Sequence, residues 1–228
     1  MAPCELMRDM DNTPAGPSNP SLTDRSEVPR RYEFDTPDQA GEHARLLRAL
    51  ATVVPVPYVR SVDGTAVVCQ PVFGRDGAKV LTAETAAAVL AACGRMLAKV
   101  HRVDVSVALE GSGRSGVLVH GDFGPDRVRF APRALTISGV VGWELAHVGS
   151  PVEDLAWCEW SVRSNHADCF DALPHLYHGY GIKVPPWRPR QAAMLAKCRF
   201  MGTLAARRKD GTASLWQRRT AITSAWRS

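Results

Sequence analysis

Apolar positions recur at helical spacing after Thr36-Pro37-Asp38-Gln39, where Ala40, Ala44, Leu47 and Leu50 fall on one face. Thr at the N-cap, Pro at the first helical position and Gln at the third read as a capping box that starts a helix sharply. That helix is predicted to end before Val54-Pro55-Val56-Pro57. Two short strands follow near 57–60 and 66–70, with Asp63-Gly64 as their hairpin turn. Pro71-Val72-Phe73-Gly74 leads out of the second. A longer helix is predicted from about 82 to 101, with Val89, Leu90, Cys93, Met96, Leu97 and Val100 as its apolar stripe.

A Gly/Ser-rich loop over 111–116 separates this helix from a compact β region. Strands are predicted at 117–119, 128–130 and 135–141. Ser150-Pro151-Val152-Glu153 is a second capping box and opens a helix through about 162. Helical pattern recurs over 167–180, is broken by Pro185-Pro186-Trp187, and resumes as two helices parted near Asp210-Gly211. No internal repeat is visible. The order predicts an α+β chain with a small front sheet and a mostly helical rear.

Composition narrows the class. With 228 residues, 45% hydrophobic and 22% charged, the chain can bury a real core. Wholesale disorder, collagen and a disulfide-stapled miniprotein are excluded. The net charge of +5 hides a split: residues 183–228 hold eleven Lys or Arg and one acid, and residues 1–182 hold seventeen bases and twenty-two acids. An acidic body with a basic end points to an anionic partner near that end. No nucleic-acid-binding motif accompanies the charge, so nucleic acid is not expected as a partner. Residues 1–26 read as a polar, disordered arm and not as a signal peptide. No stretch is long and apolar enough to span a membrane. The six cysteines (Cys4, Cys69, Cys93, Cys158, Cys169, Cys198) are scattered without CxxC or metal-like histidine spacing. They read as buried thiols of a cytoplasmic protein, with no metal site.

The chemistry concentrates in Val119-His120-Gly121-Asp122-Phe123-Gly124-Pro125-Asp126-Arg127-Val128. A strand delivers a carboxylate into a tight Gly/Pro loop, and the chain returns as a strand. A second segment follows: Val141-Gly142-Trp143-Glu144, then Gly149-Ser150-Pro151-Val152-Glu153-Asp154-Leu155-Ala156. Together these resemble the catalytic and metal loops of the aminoglycoside phosphotransferase family, whose pattern is His-Gly-Asp, four residues, Asn, a hairpin, Asp-Trp-Glu, and later Asp-Leu-Ala. Val54-Pro55-Val56-Pro57 resembles the family's Pro-x-Pro, Gln70-Pro71-Val72-Phe73-Gly74 its hinge, and Leu97-Ala98-Lys99-Val100-His101 its Leu-Ala-x-Leu-His helix end.

The resemblance implies a protein-kinase-like, two-lobed fold: a truncated front lobe over 27–72, and a helical rear lobe over 73–228 with the catalytic-loop hairpin at 117–142. It also implies Asp122 as catalytic base, with His120 of the same motif beside it; Arg127 joins them as a catalytic cation on its own chemistry, not on the family's pattern. The departures are specific. The metal-binding Asn of the pattern is Arg127, a permanent cation that cannot ligate Mg²⁺. The metal-binding Asp before Trp-Glu is Gly142. No Gly-rich loop precedes Thr36, the lysine position falls on Arg30 or Arg31 or is absent, and Glu42 at the partner-glutamate position reads as a solvated helix residue. Arg127 reads either as a functional cation or as a salt-bridge partner of Asp122 or Asp126. The His-Gly-Asp loop reads either as catalytic or as structural. Trp143, Trp157 and Trp160 read as core.

These departures predict a repurposed phosphotransferase fold that uses neither ATP nor metal. The family also occurs in pathways that tailor ribosomal peptides. The expected activity is closure of a thioether by addition of a Cys-derived thiol to a dehydroamino acid, with Asp122 and Arg127 at the reacting centre. Asp126, Glu144, Arg207, Arg208, Arg218 and Arg219 are the expected substrate contacts, the arginines holding an acidic leader peptide. Two alternatives stand beside it. One is an ATP- and Mg²⁺-dependent O-phosphotransferase with Asp126 or Glu144 as rearranged ligands. The other is a non-catalytic scaffold for partner modifying enzymes.

Overall fold

The computed structural model describes residues 29–109, 115–209 and 211–227. The predicted arm, most of the 111–116 loop and Cys4 lie outside them. In front, β1 (Arg30–Glu33), β2 (Val59–Asp63) and β3 (Ala66–Cys69) form an antiparallel sheet in the order β1-β3-β2. Helix α1 (Pro37–Leu50) starts at Thr36, whose Oγ1 accepts from the Gln39 N–H at 3.3 Å. The reciprocal bond runs from the Asp35 N–H to Gln39 Oε1 at 3.0 Å, one residue earlier than a standard capping box would put it. The face predicted for this helix is the buried one, with Ala40, Ala44, Leu47 and Leu50 all at most 2% exposed.

The hinge continues into β4 (Arg75–Asp76) and a single turn, α2 (Gly77–Val80). Neither was legible, because each is too short to carry a period. Helix α3 (Ala86–Val100) begins four residues later than the pattern suggests, and the short α4 (Val105–Ala108) follows it. Then come β5 (Val117–Val119), β6 (Val128–Phe130), β7 (Ile137–Val140) and β8 (His147–Gly149). Strands β4-β6-β7 make one small antiparallel sheet and β5-β8 a two-stranded ribbon. Strand β8 was missed; its three residues lie between two turns. The rear holds α5 (Pro151–Asn165), α6 (Pro174–Tyr180), α7 (Trp187–Arg208) and α8 (Ala213–Ala225), with a 3-10 turn over Ala167–Ala172 before α6. Its capping box at Ser150 and Glu153 is present as predicted.

The front sheet and the rear elements share buried apolar residues. Leu47, Val67 and Cys69 in front join Leu90, Phe123 and Trp143 behind in one buried apolar cluster. The Val140 N–H donates to Pro55 O at 2.7 Å across the same seam. A second cluster, Trp157, Trp160, Met194, Cys198 and Trp216, joins α5 to α7 and α8. There the fully buried Glu159 accepts from Arg190 Nη1 at 2.5 and 2.6 Å and from Arg163 Nε at 2.8 Å, and the Tyr177 hydroxyl also donates to it. A buried carboxylate is tolerable only when paired this completely. Cys69, Cys93, Cys158, Cys169 and Cys198 are free and buried, as read from the sequence. Among the described residues, no helix is long and apolar enough to cross a membrane.

Candidate functional site

The loop between β5 and β6 carries Asp122, and its backbone is clamped from below. Asp154, in the first turn of α5, is 1% exposed. Its Oδ2 accepts from the His120 N–H at 2.7 Å and its Oδ1 from the Gly121 N–H at 2.9 Å. His101 at the end of α3 places Nε2 3.0 Å from Asp154 Oδ2, and its Nδ1 lies 3.0 Å from the Tyr180 hydroxyl. Burial pushes the Asp154 carboxyl up, but His101, His120 and the backbone donors outweigh it and hold it below the usual carboxylate range. Sequence reasoning quoted His101 and Asp154 as members of motifs and gave them no role. Their role is to fix the loop.

His120 is fully buried beneath the same loop. Its Nε2 donates to Val141 O at 3.1 Å, and its Nδ1 accepts from the Asp122 N–H at 3.2 Å. The ring packs on Trp143 with centroids 4.4 Å apart. Burial lowers its pKa to about 4, so the ring is neutral at neutral pH. Expected as a catalytic residue beside Asp122, His120 has both nitrogens committed to backbone and orients the Asp122 N–H.

Above this support lies a closed ion pair. Asp122 Oδ2 accepts from Arg127 Nε at 2.9 Å and from Arg127 Nη2 at 2.6 Å. Asp122 Oδ1 accepts from the Trp157 indole N–H at 2.9 Å. Arg127 Nη1 lies 3.2 Å from Asp126 Oδ2. Burial works against the guanidinium charge, but Asp126 and Asp122 outweigh it and raise the Arg127 pKa, so the group remains a cation. The sequence reading offered Asp122 or Asp126 as the partner, and the structure gives both. The Asp122 side chain stays 18% exposed and that of Arg127 25%, so a ligand can reach the pair.

Gly142 takes a left-handed backbone at φ +87°, and a Cβ there would lie 3.0 Å from Arg127 Cδ and 3.8 Å from Glu144 Oε2. Arg127 thus fills the space that a side chain at 142 would enter. A guanidinium at 127 and a glycine at 142 offer a magnesium ion no side-chain oxygen, and the arginine's charge would repel it. Among the described residues, no group of three or more His, Cys, Asp or Glu is arranged to hold a metal. On β1, Arg31 is spent on Glu33 at 2.6 Å and Asp63 at 3.6 Å, on the exposed side. Glu42 is exposed, as read.

The other expected contacts are scattered. Glu144 lies beside Gly142 and Arg127; desolvation raises its carboxyl, and Arg127 and Arg208 act against that rise. Arg207 and Arg208 are exposed at the end of α7, and Arg218 is exposed on α8. Arg219 is packed, its guanidinium 4.6 Å from the Trp216 ring centroid and 5.5 Å from that of Trp160. Trp143, Trp157 and Trp160 are buried, as read, yet Trp157 also reaches the site through its N–H. Lys197 of α7 was missed. It lies over the Trp157 ring, and nothing in its local sequence marks it.

The model of the phosphotransferase enzyme family, APH, matches residues 108–192. No curated protein sequence matches the chain. Among solved structures, macrolide 2'-phosphotransferase MphH from Brachybacterium faecium is 20% identical, with 87% of this chain and 85% of that chain covered and a TM-score of 0.57. The aminoglycoside phosphotransferase APH(3'')-Id from Streptomyces rimosus, in complex with ADP and streptomycin, is 15% identical over 72% of this chain and 83% of that chain, at 0.57. The GDP and kanamycin complex of APH(2")-IIIa is 15% identical over 83% of both chains, at 0.63. The fold is therefore the α+β kinase-like fold of the aminoglycoside phosphotransferases, and the site segment carries that family's pattern.

Proposed function

We propose, starting from an aminoglycoside phosphotransferase fold whose metal position is filled by the side chain of Arg127, that this chain works without ATP or magnesium and acts on a bound peptide. The observation that carries the reading is the Asp122–Arg127 pair over Gly142. Phosphoryl transfer depends on metal ions and cations gathered on the phosphates. Here the cation is built into the protein and already holds the carboxylate.

The reaction that suits such a pair is proton transfer with transient negative charge. In thioether closure, Asp122 takes the proton of a thiol, and sulfur bonds the β-carbon of a dehydroamino acid. The C=C electron pair moves onto the carbonyl as an enolate, and the proton returns to Cα. Arg127 stabilises the enolate. Asp122 Oδ1 accepts only the indole N–H, so one lone pair remains for the proton. Holding sulfur against the β-carbon supplies much of the rate. The basic rear lobe favours an acidic peptide and disfavours a polycationic aminoglycoside.

A second reading, a non-catalytic scaffold for partner enzymes, is favoured by one observation: both carboxylate oxygens of Asp122 are already engaged. Reconstitution with a dehydrated, Cys-containing peptide separates the two. The enzyme reading expects ring closure, lost in Asp122→Asn and Arg127→Ala, and no stabilisation by ATP with Mg²⁺. Full activity in both variants removes these residues from the chemistry. Absence of turnover together with co-purification of partner enzymes supports the scaffold. A thermal shift with ATP hydrolysis overturns both.

A further inference from the structure

Lys197 stands on α7 where that helix faces α5. Its Nζ lies 5.8 Å from the ring centroid of Trp157 and 4.8 Å from that of Phe200. Trp157 stacks on Trp160 at 4.4 Å and donates its indole N–H to Asp122. A single indole therefore separates the ammonium of Lys197 from the carboxylate of the loop. Among the described residues, no carboxylate lies within salt-bridge distance of Nζ and no hydrogen bond holds it. Desolvation lowers its proton affinity; Asp122, Asp154 and Glu153 act to raise it, and Arg127 to lower it. A partly buried cation is ordinarily matched by an anion. This one is held by two aromatic rings, which leaves its donors for a ligand.

Eleven residues on, three turns of the same helix, Arg208 is exposed on the same face. Arg208 acts electrostatically on Glu144. Between the two cations that face carries the partly buried Met201 and Leu204. The stripe thus begins beside Asp122 and ends near Glu144, with a cation at each end and apolar surface between. At 1.5 Å per residue the cations are about 16 Å apart along the helix axis. In an extended peptide alternate side chains share a face, so carboxylates four residues apart, about 13 Å, face the stripe together, and the long side chains span the remainder.

We propose that this stripe of α7 docks an extended peptide segment through two carboxylates four residues apart, on one face of the peptide, one on Lys197 and one on Arg208. The inference rests on the cleft being a peptide site, and it is independent of the thioether chemistry. Binding alone tests it, so failure of ring closure does not bear on it. The probe is the capped, fluorescein-labelled peptide Glu-Ala-Ser-Ala-Glu, read by anisotropy at low ionic strength. Replacing both Glu by Gln is expected to weaken binding about tenfold. Lys197→Met and Arg208→Gln each weaken the Glu peptide about threefold and leave the Gln peptide unchanged, while Lys197→Arg retains affinity. Arg208 is exposed, so Arg208→Gln keeps the test decisive where Lys197→Met fails to fold. Equal binding of the Glu and Gln peptides overturns the proposal, as does unchanged affinity in Arg208→Gln. Tighter binding of a single-stranded oligonucleotide of equal charge also overturns it.

Discussion

The side chain of Arg127 lies over Gly142 so closely that a Cβ at 142 would meet its Cδ at 3.0 Å and its Nε at 3.3 Å. The two departures from the family's metal ligands are therefore one structural exchange. A side chain at 142 would displace the arginine, and the arginine takes the space that a ligand at 142 would use. Gly142→Ala alone is expected to lose about 1–3 kcal/mol, from overpacking against Arg127 and from a positive φ. Arg127→Asn combined with Gly142→Asp removes the guanidinium and adds two oxygen donors beside Asp122. The double variant is expected to gain Mn²⁺ binding by calorimetry, where the parent and each single variant bind none. Equal Mn²⁺ affinity in the parent would refute the exchange.

Asp154 anchors the loop through three donors, two backbone N–H groups and His101. Asn at 154 has one acceptor oxygen in place of two, and its amide would turn a donor toward another donor. Asp154→Asn is expected to cost on the order of 3 kcal/mol, lowering the melting temperature by many degrees. Asp122→Asn, on a partly exposed pair, is expected to cost about 1 kcal/mol or less. Denaturant unfolding of the two variants checks the order. If Asp122→Asn costs more, the clamp lies elsewhere.

Much of the fold was legible where residues carry a period or a cap. Thr36 with Gln39 and Ser150 with Glu153 marked two helix starts, and the stripe of α3 marked a buried face. Strands β4 and β8 and the turn α2 were not, because two to four residues held by distant partners leave no local pattern. The site was legible as far as its motifs: Asp122, Arg127 and Gly142 stand together as the order of segments implied. Trp157 and Lys197 could not be read, since their positions depend on how α5 and α7 cross. Nor could the closed pairing of Asp122, because only the fold decides which way a guanidinium turns.

The crossing of α3 and α6 supplies a prediction about the fold. A Cβ at Gly94 would lie 2.0 Å from Leu176 O, and one at Gly179 would lie 2.3 Å from Ala91 O. These are backbone atoms of the facing helix, which cannot yield without separating the two. In an isolated helix Gly→Ala would stabilise by up to about 1 kcal/mol. Here Gly94→Ala is expected to destabilise by about 2–4 kcal/mol, since overpacking reverses the propensity gain. Unchanged or raised stability in denaturant would mean that the helices pack less closely.

Stability should also rise with pH between about 4 and 6.5. Burial lowers the pKa of both His43 and His120 to about 4, and His43 is only 8% exposed. In the unfolded chain these rings titrate near 6.5. At pH 5 the unfolded state therefore binds more protons than the folded state, and the slope of stability against pH is positive there. The contribution is complete above about 6.5 and is lost as pH falls through the folded value near 4. Each histidine accounts for at most about 3 kcal/mol across that window. Asp154, held below its usual range, adds a loss at lower pH as it protonates. His43→Leu should flatten the slope between pH 4 and 6.5 by roughly half, because His43 packs against the Tyr32 and Phe34 rings and, among the described residues, makes no hydrogen bond to the backbone that its loss would orphan. His120→Leu would also remove the acceptor of the Asp122 N–H and the donor to Val141 O. Its slope should fall comparably while its stability at pH 7.5 drops as well. Denaturant midpoints measured from pH 4 to 8 read both effects, and a slope unchanged in His43→Leu would mean that its ring stays protonated in the folded protein.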